Sequence, residues 1–292
     1  MKKSVFALLL TAFIAVCAVT SCDKNPDNPD EIGGNETTTT VATDAVTESL
    51  SGTDASDPIF LHHVCDGNCT ESVTIAGMEK CLKLTQLSFS WNNLTAADMA
   101  EVAKLTNLVS LYLNDNELTD ISALSALTKL EVLSLSGNEI SDISPLSSLT
   151  ELNALDLSFN QISDISALES TPELLFLNLR ENNISDISAL SVMTDMETLN
   201  LVNNQISDIS SLSSLTGMYE LDFSDNTVSD ISSLKDYTNL TELLFINNKV
   251  SDISILESHA SLELLEISGN PVPQTQIEAL EAANSMLVII SE

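Results

Sequence analysis

The sequence predicts an α/β solenoid, in which short strands stack coil upon coil and short irregular segments return the chain from one strand to the next. Two observations carry this reading. The tetrapeptide Ser/Thr-Asp-Ile-Ser recurs seven times at a spacing of 22 residues, through Asp120, Asp142, Asp164, Asp186, Asp208, Asp230 and Asp252. A fixed period of this length is the signature of stacked units, none of which can bury its own apolar face alone. The tetrapeptide also belongs to a longer unit, L-x-x-L-x-L-x-x-N-x-I-S-D-I-S-x-L-x-x-L-x-x, seen at Leu130, Leu133, Leu135, Asn138, Ile140, Asp142, Ile143, Leu146 and Leu149.

The unit explains itself position by position. In L-x-x-L-x-L the period of two turns positions 4 and 6 into the coil and positions 3 and 5 outward. Asparagine fills position 9 in every unit, from Asn92 to Asn270. Where the chain leaves the strand, its backbone groups lose their ladder partners, and a buried amide can satisfy them with the neighbouring coil. The Asp-Ile-Ser-x-Leu half is too short for a full helix, and suits a turn followed by a 3₁₀ or irregular segment capped by the aspartate.

Five segments follow in chain order. Residues 1–21 read as a signal peptide: Lys2 and Lys3 precede an apolar run ending in Val19-Thr20-Ser21-Cys22. The run is short for a membrane span, the competing reading. It resembles a bacterial lipoprotein signal, which implies lipidation at Cys22 and residence on the extracellular face of the bacterial cytoplasmic membrane. Residues 22–58 are rich in Asp, Pro, Thr, Ser and Gly and form a disordered tether. As a flexible coil it would reach roughly 33 Å. Residues 59–83 form an N-terminal cap, with Val73–Ala76 as a strand. Cys65, Cys69 and Cys81 lie there, and outside the cytosol a disulfide among them is the expected state. Zinc held by these thiols with His62 and His63, or free thiols, are the alternatives.

Residues 84–270 hold nine repeats, beginning at Leu84, Leu108, Leu130, Leu152, Leu174, Met196, Met218, Leu240 and Leu262. The first is two residues longer and carries a helical insert, Thr95 to Leu105, with Thr95 and Asp98 spaced for reciprocal capping. Residues 271–292 read as a C-terminal cap: a helix over Gln274–Asn284 with Ile277 and Leu280 inward, then an apolar strand over Met286–Ile290. The cap covers the open core and an otherwise adhesive edge.

Composition excludes some functions. Ten basic against 43 acidic residues give a formal net charge of −33, so nucleic acid is not an expected partner. An anionic membrane would repel the domain, leaving the N-terminal lipid as its only membrane contact. Catalysis has little to work with. His259 occupies position 20, a core column otherwise filled by residues such as Leu127, Leu149, Met193 and Leu215, and so is read as packed. The aspartate column follows the logic of capping and lacks glycine-rich calcium spacing, so no metal, no cofactor and no enzyme are expected.

The residues that break the repeat are the informative ones. The outward positions are 3, 5, 7 and 8, with many serines, asparagines and glycines at 7 and 8, and across them Trp91, Tyr112, Asp156, Phe159, Phe176, Asn178, Arg180, Glu220, Asp222, Asp225, Glu242, Leu244 and Ile246 form the expected ligand-binding face. Aromatics and arginine are the residue types that anchor interfaces, and Arg180 is the sole arginine of the chain.

The motif from Asn138 to Leu146 and its copies over residues 84–270 resemble the internalin-type, 22-residue class of bacterial leucine-rich repeats. The resemblance implies a right-handed curved solenoid, a parallel sheet on the concave side, and recognition of another protein by that side. The chain departs from cell-invasion internalins in showing no immunoglobulin-like module after the repeats and no wall-sorting signal, so host-cell entry is not carried over. The expected function is a surface-displayed protein-binding module, an adhesin or adaptor. A glycan is the second candidate ligand, with Trp91, Tyr112 and Phe176 stacking on sugar rings beside Asp156 and Asn178. The spread of these aromatics over five coils favours a protein.

Overall fold

The computed structural model describes residues 84–291. The expected signal peptide, lipidation at Cys22, tether and N-terminal cap, with the expected disulfide among Cys65, Cys69 and Cys81, lie outside the described residues.

Ten strands form one parallel sheet in chain order. They are β1 (Gln86–Ser88), β2 (Ser110–Tyr112), β3 (Val132–Ser134), β4 (Ala154–Asp156), β5 (Phe176–Asn178), β6 (Thr198–Asn200), β7 (Glu220–Asp222), β8 (Glu242–Leu244), β9 (Leu264–Glu266) and β10 (Val288–Ile290). The register steps by one repeat at each pair, as in Leu133↔Leu155 and Leu155↔Leu177. Each strand is only three residues long, because the chain must turn twice within one unit. Between strands, 3₁₀ segments such as Ser144–Ser148 and Ser188–Val192 return the chain, matching the expected solenoid.

The core is a set of columns. In one coil Leu130, Leu133, Leu135, Ile140, Leu146 and Leu149 are fully buried, and the same positions close in the coils on either side. Phe223 and Phe245 fill position 6 in adjacent coils, their rings stacked with centroids 5.3 Å apart. At position 20 polar residues find backbone carbonyls: Tyr237 Oη donates to Leu212 O at 2.7 Å, and His259 Nε2 lies 2.9 Å from Leu234 O. His259 is therefore packed, as its column implies.

The asparagine ladder is present as expected. Asn182 Nδ2 donates to Leu157 O in the preceding coil and to Leu179 O in its own, while its Oδ1 accepts the Ile162 N–H. One side chain thus satisfies three backbone groups that the end of the strand leaves unpaired. The capping aspartates act one residue earlier than an ordinary N-cap. Asp164 Oδ1 accepts from Ser166 N at 2.8 Å, with Ile165 standing between. The same bond recurs from Asp120 to Asp252.

The insert in the first coil is helix α1 (Ala96–Val102), opened by a capping box in which Asp98 Oδ2 accepts the Thr95 N–H at 2.8 Å. Met99 and Val102 face the core. At the other end, helix α2 (Gln274–Ala283) buries Ile277 and Leu280, and Gln276 Oε1 accepts the Ile253 N–H. The final strand is shorter than the apolar run. Met286 stays outside it and is 83% exposed, and Val288 and Ile290 are exposed as well. The cap closes the core as expected, but the edge strand it supplies is itself apolar and open. The alternation of the strand explains this: β10 has only one inward position, Ile289, and its neighbours must point out.

Candidate functional site

The outward face of the sheet is built from positions 3 and 5 of each strand, and the row of turns beyond it from positions 7 and 8. Register brings the expected residues together in rows. Phe176 pairs with Thr198, Glu220 with Glu242, and Asn178 with Asn200, next to Asp222 and Leu244. From β5 to β9 this face is accessible: Phe176, Asn178, Arg180, Asp222, Leu244 and Ile246 are half-buried, and Glu220, Asp225 and Glu242 exposed. Trp91 is half-buried at the far end, on the first coil. Tyr112 and Asp156 differ from the expectation of an outward, accessible position, being only 5% and 3% exposed.

Position 5 has a second duty that the repeat pattern did not reveal. Asp156 Oδ1 accepts from both the backbone N–H and the hydroxyl of Ser158. Asn178 Oδ1 accepts the Arg180 N–H at 3.1 Å, Asn200 the Val202 N–H at 3.0 Å, and Asp222 the Ser224 N–H at 2.9 Å. Side chains read as ligand contacts therefore also tie the start of the turn, as short Asx residues do. The run Asp156-Asn178-Asn200-Asp222 was the available signal.

Position 8 carries another hidden rule. All nine residues there adopt a positive φ, from Trp91 at 65° to Gly269 at 74°. Glycine, asparagine and aspartate fill six of the nine, the residue types that tolerate this region. A Cβ on Gly137 would meet the Asp115 carboxylate, a flexible group able to turn aside, so the φ of 68° is what favours glycine there. Phe159 is the aromatic exception in mid-sheet, with φ 55° and half its surface exposed. The guanidinium of Arg180 lies 5.6 Å from the centre of its ring, and one of its nitrogens 3.4 Å from Glu181 Oε1. Glu181 in turn accepts a bond from Asn203.

Electrostatically the two sides of the solenoid differ. Burial, and then the charge of Glu242 on the next strand, raise the pKa of Glu220. Burial raises that of Asp222 too, opposed by its bonds from Ser224 and by Arg180. Burial raises Asp156, against the bonds of Ser158 and Asn178. The exposed capping aspartates of the opposite side go the other way. Backbone and hydroxyl bonds from the following serine lower each of them, as at Asp164 and Asp186.

Columns of inward leucines, an asparagine ladder and a parallel sheet with a chemically varied outer face define a leucine-rich repeat module. The Leucine Rich repeats (2 copies) family model matches residues 128–170, 172–214 and 194–236, and the Leucine rich repeat model residues 82–140. The chain belongs to the leucine-rich repeat family and is internalin-like. An internalin, InlF, from Listeria monocytogenes is 32% identical, with a TM-score of 0.72 over 76% of this chain and 65% of that one. The match thus spans less than two thirds of InlF. Internalin C2 of the same species is 33% identical with a TM-score of 0.62, over 65% of this chain and 84% of that one. A leucine-rich repeat protein from Leptospira interrogans, 22% identical with a TM-score of 0.63, shares the fold over 73% of this chain and 62% of its own. No curated protein sequence matches the chain.

Proposed function

We propose that this protein is a bacterial cell-surface lipoprotein, anchored at Cys22 on the extracellular face of the cytoplasmic membrane, whose solenoid binds another protein by the concave face of its sheet. Binding and not catalysis is its activity. The observation that supports this most is an asymmetry between the two sides. On the convex side seven successive coils repeat the same chemistry, an aspartate bonded to a serine two residues on, which serves the fold. On the sheet face the outward residues change from coil to coil, from Phe176 and Arg180 to Glu220, Asp222, Leu244 and Ile246. The residue types that stand out there, aromatics and an arginine among acids, are the ones that anchor interfaces. Concave solenoid surfaces present such variation to extended partners.

The glycan reading is weaker, because the aromatics it needs are apart: Trp91 and Phe176 stand in the first and fifth coils, and Tyr112 between them is buried. Two experiments test the proposal. Intact-mass analysis of the N-terminus from membranes should find acyl chains on Cys22; an unmodified Cys22 or cleavage elsewhere refutes the anchor. Photo-crosslinkers placed at Phe176 and at the exposed convex Ser213 should capture a surface protein only from the first, with a parallel glycan array silent. Capture only from Ser213, or binding only on the array, refutes the concave protein-binding reading.

A further inference from the structure

Resting on that reading, we infer that Phe159, stacked on Arg180, is the anchor of the interface, held in an unfavourable backbone conformation for the sake of binding, and that it receives a protein segment carrying a large apolar side chain together with lysine or arginine. The left-handed region is one that bulky side chains avoid, and here six of nine equivalent turns avoid the conflict by using Gly, Asn or Asp. Of the three exceptions, Glu181 has a reason within the fold, through its bonds to Arg180 and Asn203. Trp91 stands on the terminal coil and is half-buried. Phe159 can make no such side-chain hydrogen bond: its ring stands half exposed in the turn after β4, with the guanidinium of the next coil over it. Strain together with an exposed aromatic costs the folded state twice, and such costs cluster where a surface binds.

The geometry also selects the partner. Arg180 lies over the ring, and the half of Phe159 that stays exposed is open to an apolar group. That cation is already balanced by Glu181 and by the field of Asp222. Asp225 stands three coils on, about 14 Å at the spacing of stacked strands. Glu220 and Glu242 add to an excess of negative charge on the strands beyond. An apolar anchor with uncompensated acids some ~14 Å further along the same face matches a segment that carries basic residues together with its apolar one, and charge complementarity would speed its arrival.

The test uses the mature chain and three short synthetic peptides, alternating lysine with leucine, lysine with serine, and glutamate with leucine. The lysine–leucine peptide should bind tightest, and Phe159→Asn should weaken it about tenfold, the effect of losing one anchor. Val192→Asn, which removes an exposed apolar residue from the convex side, should leave it unchanged. In the absence of any peptide, Phe159→Asn should raise the melting temperature by about 2–4 °C by relieving the backbone. Absence of lysine–leucine binding, equal binding of the lysine–serine peptide, or an affinity indifferent to Phe159→Asn overturns the anchor. A melting temperature that falls overturns the strain. Crosslinking from Phe176 is read on another residue and with a natural partner. It can therefore succeed while the Phe159 anchor fails, or fail while the peptide result holds.

Discussion

At the scale of the residue, the buried amide of position 9 matters more than its size suggests. Replacing Asn160 or Asn182 by Ala removes an acceptor for one N–H and a donor for carbonyls in two coils, leaving buried backbone groups without partners. Each should cost about 1–3 kcal/mol in denaturant melts. Asp164→Ala loses one bond to Ser166 N at a site open to water, where solvent can replace the carboxylate, so its cost should be the smaller. Equal losses at the two positions would contradict the ladder. The ladder was legible because a polar residue that never varies beside the core must be pairing with buried backbone groups. The left-handed turn at position 8 was legible in principle, from Gly137, Gly269 and the Asn and Asp residues between them, but Trp91, Phe159 and Glu181 break that column and hide it. The burial of Tyr112 and Asp156 was not legible, since alternation assigns a side of the sheet and says nothing of what lies over it.

At the scale of the element, each coil is stable only through its neighbours, so the ends decide where unfolding starts. Leu280 on α2 is 2% exposed and packs where a further coil would otherwise sit. Leu280→Ala should cost about 2–5 kcal/mol, by lost transfer and the cavity left behind. The cost should be local, with amide exchange accelerating over β8, β9 and β10 and much less over β3 and β4. Uniform acceleration along the sheet would mean that the repeats unfold as one unit. Element type was read correctly wherever the period was strict: every strand and 3₁₀ segment falls where the 22-residue unit places it. The misplacement came where the period ends. Met286–Ile290 looked like one apolar strand, yet only Val288–Ile290 pairs with β9, because the chain leaving Asn284 uses the preceding residues to turn.

At the scale of the whole molecule, two sets of carboxyl groups pull stability in opposite directions with pH. The capping aspartates, of which Asp142, Asp164 and Asp186 are typical, have folded pKa values below the ordinary 3.8, because the charged form accepts bonds from the serine two residues on. A lowered acid contributes stability above its unfolded pKa and loses it as the pH falls through the folded one. Asp156 and Asp222 have folded values above 3.8, and Glu220 above 4.5, so in the folded state their charged forms are disfavoured. Their cost is present at neutral pH and is relieved as the pH falls through those raised values. Protonation also reduces the self-repulsion of a chain carrying −33. The melting temperature should therefore rise as the pH falls from about 7 towards the ordinary carboxylate range, and drop once the pH passes below 3.8 and the caps are discharged. Asparagine keeps the carbonyl oxygen that accepts the Ser N–H but carries no charge to lose. A combined Asp142→Asn, Asp164→Asn and Asp186→Asn variant should then fall less steeply on the acid side, while Asp156→Asn should flatten the rise on the other. Thermal melts across the range check both limbs. A melting temperature that decreases monotonically from neutral pH, or an acid limb indifferent to the three asparagines, would remove the caps and the buried carboxyls from the account.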